Sequence, residues 1–415
     1  MLTRADIIDP GRRHEFTVCS SGMDRKNSVS SSVVRCVING QRAVAVGSDA
    51  SAKTQIAALL DLLHLRNAHA QVTAHITNDD EVTVILGDAK DEAIDALRTL
   101  RGRLVTGPAI NILVSEHDGS LRPIDPEHVH FADADTLGYR SWSGLLKTVT
   151  QPPDLVNTIA RAVDAPEFRV YPMLTSPGWW SMRMEGLEVG RAQQDGGWLD
   201  VGKDGINGAQ SEPRRVWQQA TRLRDRHSVQ VHDQASIVSG AQLLRRFARE
   251  WFRPGHSRQN EHALESRVLR GAVPLRTSEG AGLELIRGHD PLVNWGSQFP
   301  TKWGRGGQAR YLDALLRDGT TPWAVEMKVA GGAGVGVYYR HAIAQALLYR
   351  EFIRGATPLH WWFARQGLQA GDCRGAVVVP ELAGAAAPWR PGLAQLCDDF
   401  GVDLIEVPAA SAILR

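Results

Sequence analysis

The sequence predicts a mixed α/β protein built from several units, and three patterns carry that expectation. Short alternating apolar stretches bounded by glycine turns recur along the chain. Helical stripes with capping residues lie between them. The last two-fifths runs in the order α-β-β-β-α-β with extensions. Strands show period two and helices period 3.6, so the two patterns separate on reading. At 415 residues the chain exceeds one average domain. Its 43% hydrophobic and 22% charged residues fit a soluble globular protein with ample core material.

Residues 1–30 read as an irregular, serine-rich lead-in. Residues 31–120 read as a small α/β domain: "SVVRCVINGQRAVAVG" alternates around Asn39-Gly40, a two-residue hairpin signal. "AKTQIAALLDLLHLRNA" follows as a helix, then "AQVTAHI" and "EVTVILG" as strands. "DAKDEAIDALRTLRGRL" is a helix with an acidic start and a basic end, which suits the helix dipole, and "AINILVSEHDG" is a strand. Residues 121–240 read as a mixed, β-rich region. There "FRVYPML" and "WWSMRMEGLEVGRAQQDGGWLDVG" are strands, and "SEPRRVWQQATRLRDRH" is a helix opened by Ser-Glu-Pro. From residue 241 onward come helices in "AQLLRRFAREWF" and "QNEHALESRVLRG", then strands in "LELIRG", "GQARYLDALLRDG" and "PWAVEMKV". The helix "YYRHAIAQALLYREFIRG" is followed by strands "PLHWWFA" and "GAVVVPE", the helix "RPGLAQLCDDF" and the strand "VDLIEV".

Bulk charge and cysteine usage exclude more than they identify. The formal net charge is +1 and singles out no partner. Four dispersed cysteines without CxxC spacing argue against a zinc ribbon or a disulfide framework and fit a reducing compartment. No segment has signal-peptide character and no apolar run reaches membrane-spanning length, so a cytoplasmic protein without a membrane partner is expected. Only seven of the 47 Lys and Arg residues are lysines, so a lysine is an uncommon choice in this chain.

One of those lysines sits in the most informative stretch, "WAVEMKVAGGAGVG" at 323–336. In a strand Glu326 and Lys328 share a face, and two charges on a core strand must be paired, solvated or bound to something. Asp313 in "RYLDALL" lies 13 positions before Glu326, room for two strands and a short turn. Gln345 and Tyr349 lie four apart on the following helix and so share a face, which His341 extends by one turn.

An acidic strand, a turn, ExK and then a QxxxY helix, in that order, resemble the PD-(D/E)XK nuclease superfamily, in its RecB-like branch. The resemblance spans residues 259–407 and implies a restriction-endonuclease-like core with a central mixed sheet in a C-terminal domain over residues 241–415. It also implies a hydrolase cutting phosphodiester bonds with Mg²⁺, or Mn²⁺ in its place. Asp313, Glu326 and the Met327 carbonyl would hold the ion, as hard cations prefer oxygen ligands. Lys328 would orient the attacking water and offset phosphoryl charge. The first core helix would add a carboxylate, for which Glu261 and Glu265 are both candidates and Glu265 is preferred. Gln345 and Tyr349 would contact the nucleic-acid backbone or organise the site.

Residues 213–312 carry 17 basic against 8 acidic residues, a pattern that could follow a phosphate backbone. Lys302, Arg305, Arg310 and His341 are the candidate contacts. DNA is the expected partner, RNA the variant reading, and a homodimer is open. The competing reading is a non-catalytic nucleic-acid-binding or assembly protein on the same scaffold. Prokaryotic defence or repair would suit an accessory module fused to a nuclease. Three other motifs carry less. "GWLDVGKD" (197–204) departs from a P-loop at Asp204, where Ser or Thr must reach Mg²⁺. "GGAGVG" lacks the strand-to-helix context of a dinucleotide site. His128 and His130 lack further ligands for zinc.

Overall fold

The structure is a computed structural model that describes residues 16–21, 33–65, 78–125, 142–143, 152–174, 176, 178–193, 197–202, 228–251, 257–286, 299–304, 310–329 and 335–412. Among these residues the protein is mixed α/β, with eight α-helices and four sheets.

The first sheet has six strands in chain order: β1 (Phe16–Ser21), β2 (Val33–Ile38), β3 (Gln41–Val46), β4 (Asn78–Leu86), β5 (Ala109–Ser115) and β6 (Leu121–Pro123). Asn39 and Gly40 take positive φ of 50° and 76°, the I′-type geometry that matches strand twist, and set Ile38 opposite Gln41. Strands β3, β4 and β5 are parallel. Helix α1 (Ala52–Leu65) follows β3, and α2 (Asp91–Arg103) follows β4 with Asp91 and Glu92 in its first turn.

The second sheet is an antiparallel meander that follows α3 (Asp154–Val163). It comprises β7 (Phe168–Pro172), β8 (Trp179–Met184), β9 (Leu187–Gln193), β10 (Trp198–Val201) and β11 (Ser228–Gln230). Helices α3 and α4 (Gln234–Trp251) bury Val156, Ile159, Leu244 and Phe247 against its inner face. Strand β10 is the P-loop look-alike, paired on both sides as an ordinary strand.

The third unit opens with α5 (Ser257–Leu269), β12 (Leu275–Arg276) and β13 (Gly282–Leu285), then β14 (Phe299–Thr301), β15 (Arg310–Leu312), β16 (Ala314–Asp318) and β17 (Thr321–Met327). Next come α6 (Val335–Gly355), α7 (His360–Arg365), β18 (Arg374–Pro380), α8 (Arg390–Phe400) and β19 (Asp403–Val407). Its six-stranded sheet is ordered β12-β13-β16-β17-β18-β19, while β14 and β15 pair apart. β17 is central, antiparallel to β16 and parallel to β18, and β18 is parallel to β19. Period two explains its two buried faces: Val325 and Met327 pack with Leu264 and Val268 of α5, Ala324 with Ile343 and Leu347 of α6. Leu59 and Leu60 of α1 and Leu97 and Leu100 of α2 join that second cluster, so α6 is covered by helices of the first unit as well as by its own sheet.

Two expected elements differ. "PLHWWFA" is a 3₁₀ turn (Thr357–Leu359) followed by α7, because Pro358 suits a helix start and helical spacing buries Trp362 and Phe363 beside Phe299. With β18 already paired to β17, the sheet has no slot for a further strand there. The single strand expected across "GQARYLDALLRDG" is split at Asp313, where the chain leaves β15 and enters β16. The strand expected at 70–76, the helix at 211–227, His128 and His130 lie outside the described residues. Among the described residues no helix is long and apolar enough to cross a membrane.

Candidate active site at the end of strand β17

The hairpin β16–β17 pairs Ala314 with Val325, which brings Asp313 level with the end of β17. There the backbone pairing stops, and the Asp313 carboxylate takes over: its Oδ2 accepts the Met327 N–H at 2.7 Å. A buried amide requires an acceptor, so the side chain completes the strand end and is itself fixed by it. The Lys328 N–H continues the pairing to Val378 O at 2.9 Å.

Lys328 Nζ is the centre of the cluster. It lies 2.6 Å from Glu326 Oε1, 2.8 Å from Glu261 Oε1 and 3.8 Å from Asp313 Oδ2, and donates to the Met327 carbonyl at 2.9 Å. Glu326 and Lys328 side chains are 2% and 6% exposed. Glu265, one turn beyond Glu261 on α5, is buried and lies 3.4 Å from His262 Nδ1. Sequence reasoning preferred Glu265, but the carboxylate bonded to the lysine is that of Glu261. Glu265 is nonetheless near enough to raise the Asp313 pKa.

Burial, and then the neighbouring Glu326 carboxylate, hold Asp313 well above the usual carboxylate range despite Lys328. Burial raises Glu326 as well, with Lys328 opposing. The Glu326 Oε2 atom is buried without a hydrogen-bond partner. Three carboxylates around one ammonium, with an orphaned acid oxygen, leave negative charge that a buried site must balance with a proton or a cation. An all-oxygen acidic donor set suits a hard divalent ion such as Mg²⁺. The acids converge on the lysine, and among the described residues no group of three or more His, Cys, Asp or Glu forms a ready-made metal cage.

Helix α6 covers the same strand face. Gln345 Nε2 donates to Tyr349 OH at 3.4 Å, and that hydroxyl donates to Tyr311 O at 3.4 Å. Burial, then Glu326, push the Tyr349 phenol well above its ordinary range, so it stands beside the acids as a neutral donor. Gln345 and Tyr349 are thus bonded to each other, and Tyr349 to the end of β15.

The four candidate nucleic-acid contacts are placed otherwise. Arg310 is held by both carboxylate oxygens of Glu92, at 3.0 and 3.2 Å, and stacks 4.6 Å above the Trp303 ring. Lys302 is 4% exposed. His341 Nε2 lies 3.7 Å from Asp61 of α1. Arg305 lies outside the described residues. Each described one is engaged inside the protein, and the partners Glu92 and Asp61 come from the distant first unit, where local sequence could not point.

Lys53, at the start of α1, is a residue the sequence reading did not single out. Burial and then Lys328 hold its ammonium below the ordinary lysine range, while Glu326 and Glu261 pull it back. Two signals pointed to it: lysine is scarce here, and "GSDASAKT" (47–54) follows β3 as a P-loop spelling with Ala52 for its last glycine. Comparison of the chain with family models, with curated proteins and with solved structures finds no match.

Proposed function

We propose that the chain is a divalent-metal-dependent nuclease of the PD-(D/E)XK kind, acting on DNA, with residues 257–407 forming a restriction-endonuclease-like core. The observation that supports it best is the meeting of Asp313, Glu326, Glu261 and Lys328 around a buried carboxylate oxygen with no partner. The strand order around β17, with α5 before it and α6 after it, lends support to this reading.

In this reading Asp313, Glu326 and the Met327 carbonyl would hold Mg²⁺, with Glu261 or Glu265 as a further carboxylate. The ion supplies Lewis acidity toward a phosphoryl oxygen and makes a water acidic enough to attack at neutral pH. Lys328, which the carboxylates hold in place, would supply the positive charge beside the phosphate. Its N–H donors would orient the attacking water and stabilise oxygen charge that grows in the transition state. Tyr349, kept neutral, and Gln345 fix the position of this face through the Tyr311 carbonyl. Burial removes competing water, which strengthens each of these interactions.

The test is incubation of purified protein with plasmid, linear and single-stranded DNA, and with RNA, in Mg²⁺ or in EDTA. Cleavage in Mg²⁺, absent in EDTA and absent in Lys328→Ala, is the expected result. Salt-sensitive binding with no products in any metal would favour the non-catalytic reading. Faster cutting of RNA would change the substrate class and keep the residues.

A further inference from the structure

The proposed site draws Glu261 from α5, and the second unit grips that helix from another side. Leu264 and Val268 of α5 pack with Val325 and Met327 of β17, and Glu261 on that side reaches Lys328 Nζ at 2.8 Å. Ala263, Arg267 and Arg270 lie four and then three residues apart, so they form a second stripe. The turn between β8 and β9 meets this side of α5 with three consecutive residues. Leu187 packs on Ala263. Gly186 lies against the His262 carbonyl, which a Cβ there would overlap. The Glu185 carboxylate is shared by Arg267 Nε and Arg270 Nη2, each at 2.9 Å.

That turn is an uncommon place for glutamate. Met184 pairs with Leu187, so Glu185 and Gly186 form a two-residue hairpin turn, with φ of 47° and 76°. The matching positions of the β2–β3 hairpin are Asn39 and Gly40. Left-handed geometry suits Gly, Asn or Asp and is unfavourable for a longer side chain. Glutamate there costs backbone energy that asparagine would not, and what it adds is a carboxylate that bridges two arginines. Arg267 Nη1 also donates to Ser411 O at 2.8 Å, and Arg270 Nη1 to Pro166 O at 3.0 Å. Each guanidinium is thus tied to the body of the protein as well as to Glu185. His262, the residue next to Glu261, and Arg267 are five residues apart, about 7.5 Å along the helix at 1.5 Å per residue. Held at both points, α5 can neither slide nor roll without breaking one contact.

We infer that Glu185 is a positioning residue for the β17 site: by holding Arg267 and Arg270 it fixes the roll and register of α5 that bring the Glu261 carboxylate to Lys328. The second unit then helps to set the active centre. This rests on the nuclease reading above and extends it, since that reading alone needs nothing from residues 152–251.

The experiment compares wild type, Glu185→Gln, Glu185→Asp, Glu261→Gln and the double variant Glu185→Gln/Glu261→Gln in steady-state DNA cleavage. Mg²⁺ affinity is measured by titration and folding by melting temperature. Glu185→Gln should weaken Mg²⁺ binding and lower kcat by about tenfold each, as loss of a group that orients a ligand does, with KM for DNA unchanged. In the Glu261→Gln background the same substitution should have no further effect, because a residue acting through another adds nothing once that one is gone. Glu185→Asp, which keeps the charge and suits the left-handed turn, should restore both. Should Glu185→Gln fail to fold, Arg270→Gln, which leaves the Arg267 pair in place, is read in the same way. A lowered melting temperature with kcat and Mg²⁺ affinity per folded molecule unchanged would make the contact structural only and overturn the inference. An effect of Glu185→Gln that is equally large with and without Glu261 would overturn it as well. In both cases wild type still cuts, so the nuclease reading stands. Wild type that neither binds Mg²⁺ nor cuts would remove the nuclease reading and this inference together.

Discussion

Two buried charge clusters, one at the α1–α6 contact and one at the end of β17, differ in balance. At the α1 contact, one carboxylate, Asp61, meets one guanidinium, Arg340, with His341 beside it. Burial alone would raise the Asp61 carboxyl, but the His341 and Arg340 contacts outweigh it and hold it below the usual range. At the end of β17, Asp313, Glu326 and Glu261 share one ammonium, and the carboxyls of Asp313 and Glu326 are pushed up. Equal burial with opposite shifts separates a structural pair, which is neutral as folded, from a cluster that needs something more. Perturbed acids of the second kind mark sites that take protons, metals or substrates.

Substitutions should separate the two clusters. The largest effect is expected at β17: Lys328→Ala should reduce DNA cleavage by about 10²–10³ or more, as removal of an electrostatic transition-state contact does. Cleavage is compared per folded molecule, because Lys328 is also a buried ion-pair partner. At the α1–α6 contact the pattern should reverse. Asp61→Ala leaves Arg340 buried and unpaired, at a cost of about 3–5 kcal/mol in denaturant unfolding, with activity per folded molecule retained. If Asp61→Ala instead abolished cleavage in fully folded protein, the division of labour would be wrong.

A smaller effect should appear in pH dependence. Asp313 and Glu326 have folded pKa values above their unfolded ones, so the folded state holds their protons more tightly. Their stabilising contribution is complete below the unfolded carboxylate range and is lost as pH rises through the raised values. Melting of EDTA-treated protein should therefore weaken on moving up from acid toward neutral pH, and Asp313→Asn should flatten that trend. A trend unchanged in Asp313→Asn would assign it elsewhere. The smallest effect is at the α1 start, where Ser51→Ala removes the cap on Thr54 at a cost of about 1 kcal/mol.

The same contrast explains what could be read from sequence. The Asn39-Gly40 hairpin, the charged helix ends of α2 and the alternation of β17 depend on neighbours in the chain, and each was legible. Asp313, Glu326 and Lys328 were legible too, because one hairpin brings them together. Arg310 and Glu92 lie 218 positions apart, and Arg340 and Asp61 lie 279 apart. The partner of Arg310 within the protein could therefore not be read from its neighbours in the chain. The α7 segment was misread because its bulky aromatics favour strands until tertiary packing chooses.

Isothermal titration of Mg²⁺, and of Mn²⁺, into metal-free wild type, Asp313→Asn and Asp61→Asn tests the balance argument most directly. Binding by wild type and Asp61→Asn, with loss in Asp313→Asn, is the expected outcome. Titrations that show no binding to wild type, or equal binding to Asp313→Asn, would contradict the assignment of the β17 acids as a cation site.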